Sequence, residues 1–180
     1  MADTVRTLAA LQTLLANNAE GDIGAQDLRD MLVSVFEPQF VGCQLTKSGT
    51  QGLPNGASTV ITFDGTYYDT DSLADLANDR ITIPTGLGGW YVAVGCYAST
   101  GGVTPNSISI HLNTNRVASQ QNLGSSFSPA GQVSAQPLLL VPGDDIDLRA
   151  FHSTGRTVAA TTTSYGTTWL AVYRVGQAAA

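Results

Sequence analysis

Residues Gln136–Phe151 read QPLLLVPGDDIDLRAF. An apolar run, QPLLLV, meets an alternating run, DIDLRAF, across Pro142-Gly143-Asp144, and a proline-glycine-aspartate turn in that setting marks a tight antiparallel corner. TTWLAVYRV, residues 167–175, closes the sheet at the far end. Corners of this kind build sandwiches and barrels rather than α/β enzymes.

Further strand candidates lie on either side. They are Phe40–Thr46, Ser58–Phe63, Arg80–Ile83, Trp90–Tyr97, Ser107–Leu112, Arg116–Ser119, Val133–Val141, Asp145–His152, Thr157–Thr163 and Thr167–Val175. Their number and shortness predict an antiparallel jelly-roll sandwich over residues 37–180. Asn113-Thr114-Asn115 reads as a hairpin loop, because asparagine tolerates the left-handed backbone such turns need. Gly86, Gly88 and Gly89 form a corner before WYVAVGCY. The small, polar segment Gln120–Gln132 is expected at one pole, with Asn122, Ser125 and Phe127 as apical candidates.

The first 36 residues differ. Val5, Leu8, Leu11 or Gln12, and Leu15 recur at helical spacing and halt at Asn17-Asn18 and Gly21. A second helix begins near Ala25 with Gly24 as N-cap, Asp27 on the exposed amides and Ile23 against Leu28 as a staple; Pro38 ends it. Leu28, Met31, Leu32 and Val35 share one face. Helices this short are marginal alone, so the arm needs another surface: its own sandwich, sister chains or a larger assembly. Leu8, Leu11, Leu15, Leu28, Arg29, Met31, Leu32 and Val35 are the anchoring candidates.

Composition narrows the partners. Of 180 residues 43% are hydrophobic but only 12% charged, against roughly 25% in a typical soluble domain, so Ser, Thr, Asn and Gln must supply the surface. Eight Lys plus Arg against fourteen Asp plus Glu leave a net charge of −6, and the arginines are scattered. Without a cationic cluster nucleic-acid binding is not expected. No apolar run approaches the ~18 residues of a membrane span. The N-terminus lacks a signal-peptide pattern, which predicts synthesis and folding in a cytoplasm. Cys43 and Cys96 lack metal-ligand spacing and read as reduced, buried thiols, although spacing leaves their pairing open.

Chemistry is hard to assemble from these residues. His111 and His152 fall in strand candidates without fixed-spacing partners, and no nucleophile elbow, phosphate loop, dinucleotide fingerprint or zinc motif appears. The chain is therefore expected not to be an enzyme, and to use no cofactor. Asp69-Thr70-Asp71 resembles the start of a calcium loop, but Ala74 stands where glycine is needed and no later bidentate Glu follows. Solvated strand-end aspartates are the better reading of Asp64, Asp69, Asp71, Asp75 and Asp79. Along WYVAVGCY, Tyr91, Ala93, Gly95 and Tyr97 alternate with Val92, Val94 and Cys96. A strand apolar on both faces must be covered twice, by its partner sheet and by another chain or layer.

The order of elements resembles the complement globular-head and tumour-necrosis-factor-like jelly roll over Phe40–Val175. VITFDGTYYDTDSLADLANDRITIP is similar to the family's opening strand, acidic loop and next strand; GGWYVAVGCYA to its Gly-X-Tyr strand, through Gly89 and Tyr91; ISIHLNTNRVAS to its strand, turn and strand; and PLLLVPGDDIDLRAF to its Gly-Asp turn, through Gly143 and Asp144. The last strand lacks the family's Phe-X-Gly-Phe pattern. Family members form homotrimers, so the resemblance implies that Tyr91 and residues of the last strand lie near a three-fold axis, and Tyr91, Ala93, Tyr97, Trp169 and Tyr173 are the interface candidates. GDIGAQDLRDMLVSVF resembles the Ile-Ser/Thr-Ala-Gln-Asp-Leu-Arg-Asp leader of bacteriophage virion proteins that carry such a head, with Gly24 in place of the hydroxyl cap. Together these predict a homotrimeric decoration or cement protein on a virion surface, assembled in a bacterial cytoplasm and anchored by residues 1–36 to a major capsid or other virion protein. The alternative is a receptor-binding knob on a tail or head fibre that contacts the host cell surface.

Overall fold

The computed structural model describes residues 10, 13, 24–36, 40–98, 107–121, 130–153, 156–158 and 167–177. The chain divides into two compact units, Met1–Phe40 and Val41–Ala180.

In the first unit a helix, α1, spans Ala25–Phe36. Gly24 caps it: its carbonyl accepts from the Leu28 amide at 3.2 Å, and its own amide donates to Asp27 Oδ2 at 3.0 Å. The Asp27 carboxylate thus satisfies a free amide and sits at the positive end of the helix. Leu28 and Leu32, one turn apart, are each 48% exposed, while Met31 is half-buried. Arg29 is exposed and donates to Gln26 Oε1, so it stands off the apolar stripe. Val35 lies in the last turn, two residues after which Pro38 could donate no amide. The earlier helical candidates Leu8, Leu11 and Leu15, and the staple residue Ile23, lie outside the described residues.

Among its described residues the second unit is all β. In chain order its strands are β1 (Gly42–Thr46), β2 (Gln51–Leu53), β3 (Ser58–Val60), β4 (Gly65–Asp69), β5 (Ala74–Asp75), β6 (Arg80–Thr82) and β7 (Gly89–Ala98). Then follow β8 (Ser107–Leu112), β9 (Asn115–Gln121), β10 (Ala130–Ser134), β11 (Leu138–Leu140), β12 (Asp145–Phe151), β13 (Arg156–Val158) and β14 (Trp169–Gln177). One sheet runs β10-β7-β14-β1-β4 with β11 also on β7; the other runs β5-β6-β12-β8-β9 with β3 also on β12; β13 pairs β2 in a short ribbon. All pairings are antiparallel, and the non-consecutive neighbours are those of a jelly roll.

The two reversals read from sequence have the expected geometry. Across Val141–Asp144 the Asp144 amide donates to the Val141 carbonyl at 3.0 Å and Gly143 has φ 90°, a type II turn with proline and glycine in their preferred places. The loop between β8 and β9 is only Asn113-Thr114, with φ 47° and 71°, which is the primed hairpin turn. Asn113 ties the two corners together, donating to Asp144 Oδ1 at 2.6 Å and accepting from the Asp145 amide at 2.9 Å.

Between the sheets lies a core that includes Leu45, Ile61, Leu73, Ile81, Ile108, Ile110, Ile146, Leu148, Leu170 and Val172, all without exposed surface. The sheets approach closely at the middle of β7. A Cβ on Gly95 would stand 2.5 Å from Leu148 Cδ1 of β12.

Two strand expectations need correction. Val133–Val141 is two strands, because Pro137 interrupts the run between β10 and β11 while both stay on β7. Gly65–Asp69, read as the start of an acidic loop, is edge strand β4, and β2 and β5 were not expected at all. Of Thr157–Thr163 the described residues Thr157 and Val158 are strand, and the remainder lies outside the described residues, as do Asn122, Ser125 and Phe127.

Candidate association surface

β7 sits between β14 and the pair β10 and β11, so its two faces decide what the first sheet buries and what it offers. Tyr91, Ala93, Gly95 and Tyr97 point inward. Both tyrosine hydroxyls find partners there: Tyr91 donates to the Leu87 carbonyl at 2.6 Å, and Tyr97 lies 3.0 Å from Nε2 of buried His152. Tyr91, Ala93 and Tyr97 have no exposed surface in the lone protomer. They cannot lose surface to a neighbour, so as interface candidates they are corrected to core residues.

The opposite face carries Trp90, Val92, Val94 and Cys96. Register extends it across the sheet: Cys96 opposes Trp169, Val94 opposes Ala171 and Val92 opposes Tyr173, while Trp90 opposes Leu139 of β11. On the far side of β14, Thr46, Gln44 and Gly42 continue the same rows. Trp169 and Tyr173 therefore do lie on the outer face. Trp90 is 43% exposed, Leu139 50% and Val175 54%. A continuous apolar sheet face of this kind, bordered by Gln132, Ser134, Gln44 and Thr46, is what marks a protein–protein contact. Sequence reasoning missed Trp90, Val92, Val94, Ala171 and Leu139. The alternation along WYVAVGCY held the signal, but not which face was inward.

Cys43 and Cys96 are free. Cys43 pairs with Val172 on the core face and Cys96 with Trp169 on the outer face, so the two sulfurs lie on opposite sides of one sheet and cannot bridge. Burial, reinforced by the nearby Asp69 charge, pushes the Cys43 thiol up to about 12, and burial also raises that of Cys96. Neither is an activated nucleophile.

The acidic run is absorbed in local hydrogen bonds. Asp69 accepts from the Leu73 and Ala74 amides, Asp79 from the Phe63 amide, and Asp64 from the Ser48 and Gly49 amides. Asp71 accepts from the Thr70 hydroxyl, and Asp75 from Asn78 and Arg80. These carboxylates fasten turns instead of converging on a point. Among the described residues no group of three or more His, Cys, Asp or Glu side chains could hold a metal ion, and no helix is long and apolar enough to cross a membrane.

No protein-family model and no curated protein matches this sequence. Solved structures do match. The globular domain of zebrafish complement 1qA protein aligns over 77% of this chain and 99% of its own, at 12% identity and a TM-score of 0.55. Murine APRIL aligns over 76% of this chain and 100% of its own, at 10% identity and a TM-score of 0.50. The β body of this protein thus has the jelly-roll fold of the complement globular-head and tumour-necrosis-factor type.

Proposed function

We propose that the protein is a homotrimeric virion structural protein that decorates a bacteriophage capsid and is held there by its N-terminal arm. The role is structural and needs no catalytic residue. The observation that carries it is the outer face of the first sheet, where exposed Trp90 and Leu139 and half-buried Val94, Trp169 and Tyr173 form an apolar surface that a lone protomer leaves partly in water. Three copies arranged as in the family it resembles would cover that face. The arm supports the second half of the reading, through the likeness of GDIGAQDLRDMLVSVF to virion leaders and the exposed Leu28 and Leu32 on α1. Three arms on one trimer raise avidity through effective concentration, without any single contact being strong.

The test is to mix purified protein with phage shells stripped of it and to image the particles. Wild type should add density at regular positions, whereas Leu28→Ser with Leu32→Ser, which leaves the β body untouched, should remain a trimer and leave the shells bare. A double variant that still decorates shells would refute arm anchoring.

A further inference from the structure

On the outer face of the second sheet, side chains of β3, β12, β8 and β9 surround a cleft of about 470 Å³ lined by Ser58, Ser107, Ser109, His111, Arg116 and Phe151. That volume is within the ~300–1,000 Å³ usual for small-molecule sites. Register explains how the walls form. Ser107, Phe151 and Ser58 stand side by side across β8, β12 and β3, and His111 opposes Arg116 of β9 four residues further along β8. Four residues of strand put about 13 Å between the aromatic end and the cationic end.

The chemistry at each end is specific. Arg80 is held by Asp75 and Asp145, and Arg149 by Asp147, but Arg116 is exposed and makes no ion pair among the described residues. A guanidinium left free in a chain of net charge −6 presents a planar fork matched to a carboxylate. His111 Nδ1 lies 2.9 Å from the Thr114 carbonyl, which can only accept, so in the neutral ring Nε2 is the acceptor and takes the Ser109 hydroxyl at 3.0 Å. Ser109, only 7% exposed, lines the cleft with its hydroxyl turned to His111, which leaves its oxygen as an acceptor for a ligand hydroxyl. Phe151 offers an apolar wall between Ser58 and Ser107.

We propose that this cleft binds an acidic saccharide, with a carboxylate on Arg116, sugar hydroxyls on Ser107 and Ser109, and the apolar face of a ring on Phe151. A bare phosphate would engage Arg116 and leave Phe151 and the serines unused, which is why a carboxylate-bearing sugar fits better than a simple anion. The cleft belongs to one protomer and lies on the sheet opposite the association surface, so it stands or fails independently of trimer formation.

The experiment titrates the full chain, by calorimetry, with a tetrasaccharide of alternating glucuronate and N-acetylglucosamine, with the same glycan after carboxyl reduction, and with inorganic phosphate. The acidic glycan should bind at least ~10-fold more tightly than its reduced form. Arg116→Gln should abolish that difference, Arg116→Lys should restore only part of it, and Phe151→Ala should weaken both glycans. Circular dichroism checks that each variant folds. Absence of saturable glycan binding, equal affinity for both glycans, or full retention by Arg116→Gln would overturn the proposal. So would phosphate competing as well as the acidic glycan while Phe151→Ala has no effect.

Discussion

Replacing Trp90 and Leu139 together by serine should dissolve the proposed trimer without unfolding the protomer. The pair faces outward across the β7–β11 ladder, and the two side chains are 43% and 50% exposed in the lone chain. For a tryptophan of ~250 Å², that exposure leaves about 110 Å² to be covered, worth about 2.7 kcal/mol at ~25 cal/mol per Å². Covering the exposed half of the leucine adds about 1 kcal/mol. Three protomers together forfeit about 11 kcal/mol, or about eight decades in the three-body association constant. Because that constant scales with the square of concentration, the trimer–monomer midpoint moves up by about 4 decades. Sedimentation velocity from about 0.1 to about 100 µM should show wild type as trimer and the double variant as a monomer with an unchanged circular dichroism spectrum. Identical sedimentation of the two proteins throughout that range, or a wild type already monomeric at micromolar concentration, would refute the assignment of this face.

Three other outcomes are expected. Gly89→Ala should lower stability in urea by about 1–3 kcal/mol, since its Cβ would fall 2.5 Å from the Gly176 carbonyl oxygen, a backbone atom with nowhere to move. Asp64→Asn should be less stable than wild type at neutral pH and converge with it in acid. Burial raises the Asp64 carboxyl, but bonds from the Ser48 hydroxyl and the Gly49 and Ser48 amides, with Lys47 nearby, more than offset this and hold it below the usual range. The stabilisation is therefore present above ~3.9, the ordinary aspartate value, and disappears as pH falls through the lower folded value, which acid titration of both proteins by fluorescence would show. In maleimide labelling of the Trp90→Ser, Leu139→Ser protein, Cys96 on the outer face should react well before Cys43, whose side chain is wholly buried; equal rates would contradict the placement of the two thiols.

Much of the fold was legible because its reversals are written in residue types with few conformational choices. Pro142-Gly143 permits one kind of turn, and Asn113 accepts a positive φ where most residues resist it. Long alternating runs such as DIDLRAF announce their own register. The strands that escaped are short or irregular. β4 carries Tyr67 and Tyr68 among Asp and Gly, and a register shift against β1 accompanies Tyr67 standing 79% exposed, so no period of two survives in its sequence. The cleft on the second sheet was invisible for a different reason. Ser58, Arg116 and Phe151 come from three separate strands, and only the pairing brings them together.

The reversed faces of β7 show what decides orientation when both sides of a strand are apolar. Polarity would send the tyrosines outward and the valines in, yet the opposite holds. At the centre of the strand the opposing sheet comes so near that a Cβ on Gly95 would press on the Leu148 side chain, and the small residues Gly95 and Ala93 let the odd-numbered face pack inward. Period two then carries Tyr91 and Tyr97 inside as well, and they are tolerated because the Leu87 carbonyl and His152 satisfy their hydroxyls. Val92, Val94 and the two tryptophans, which have no hydroxyl to satisfy and no room inside, are left on the outer surface. The small residues thus choose the core, and the large apolar ones they displace become the outer face through which association is proposed.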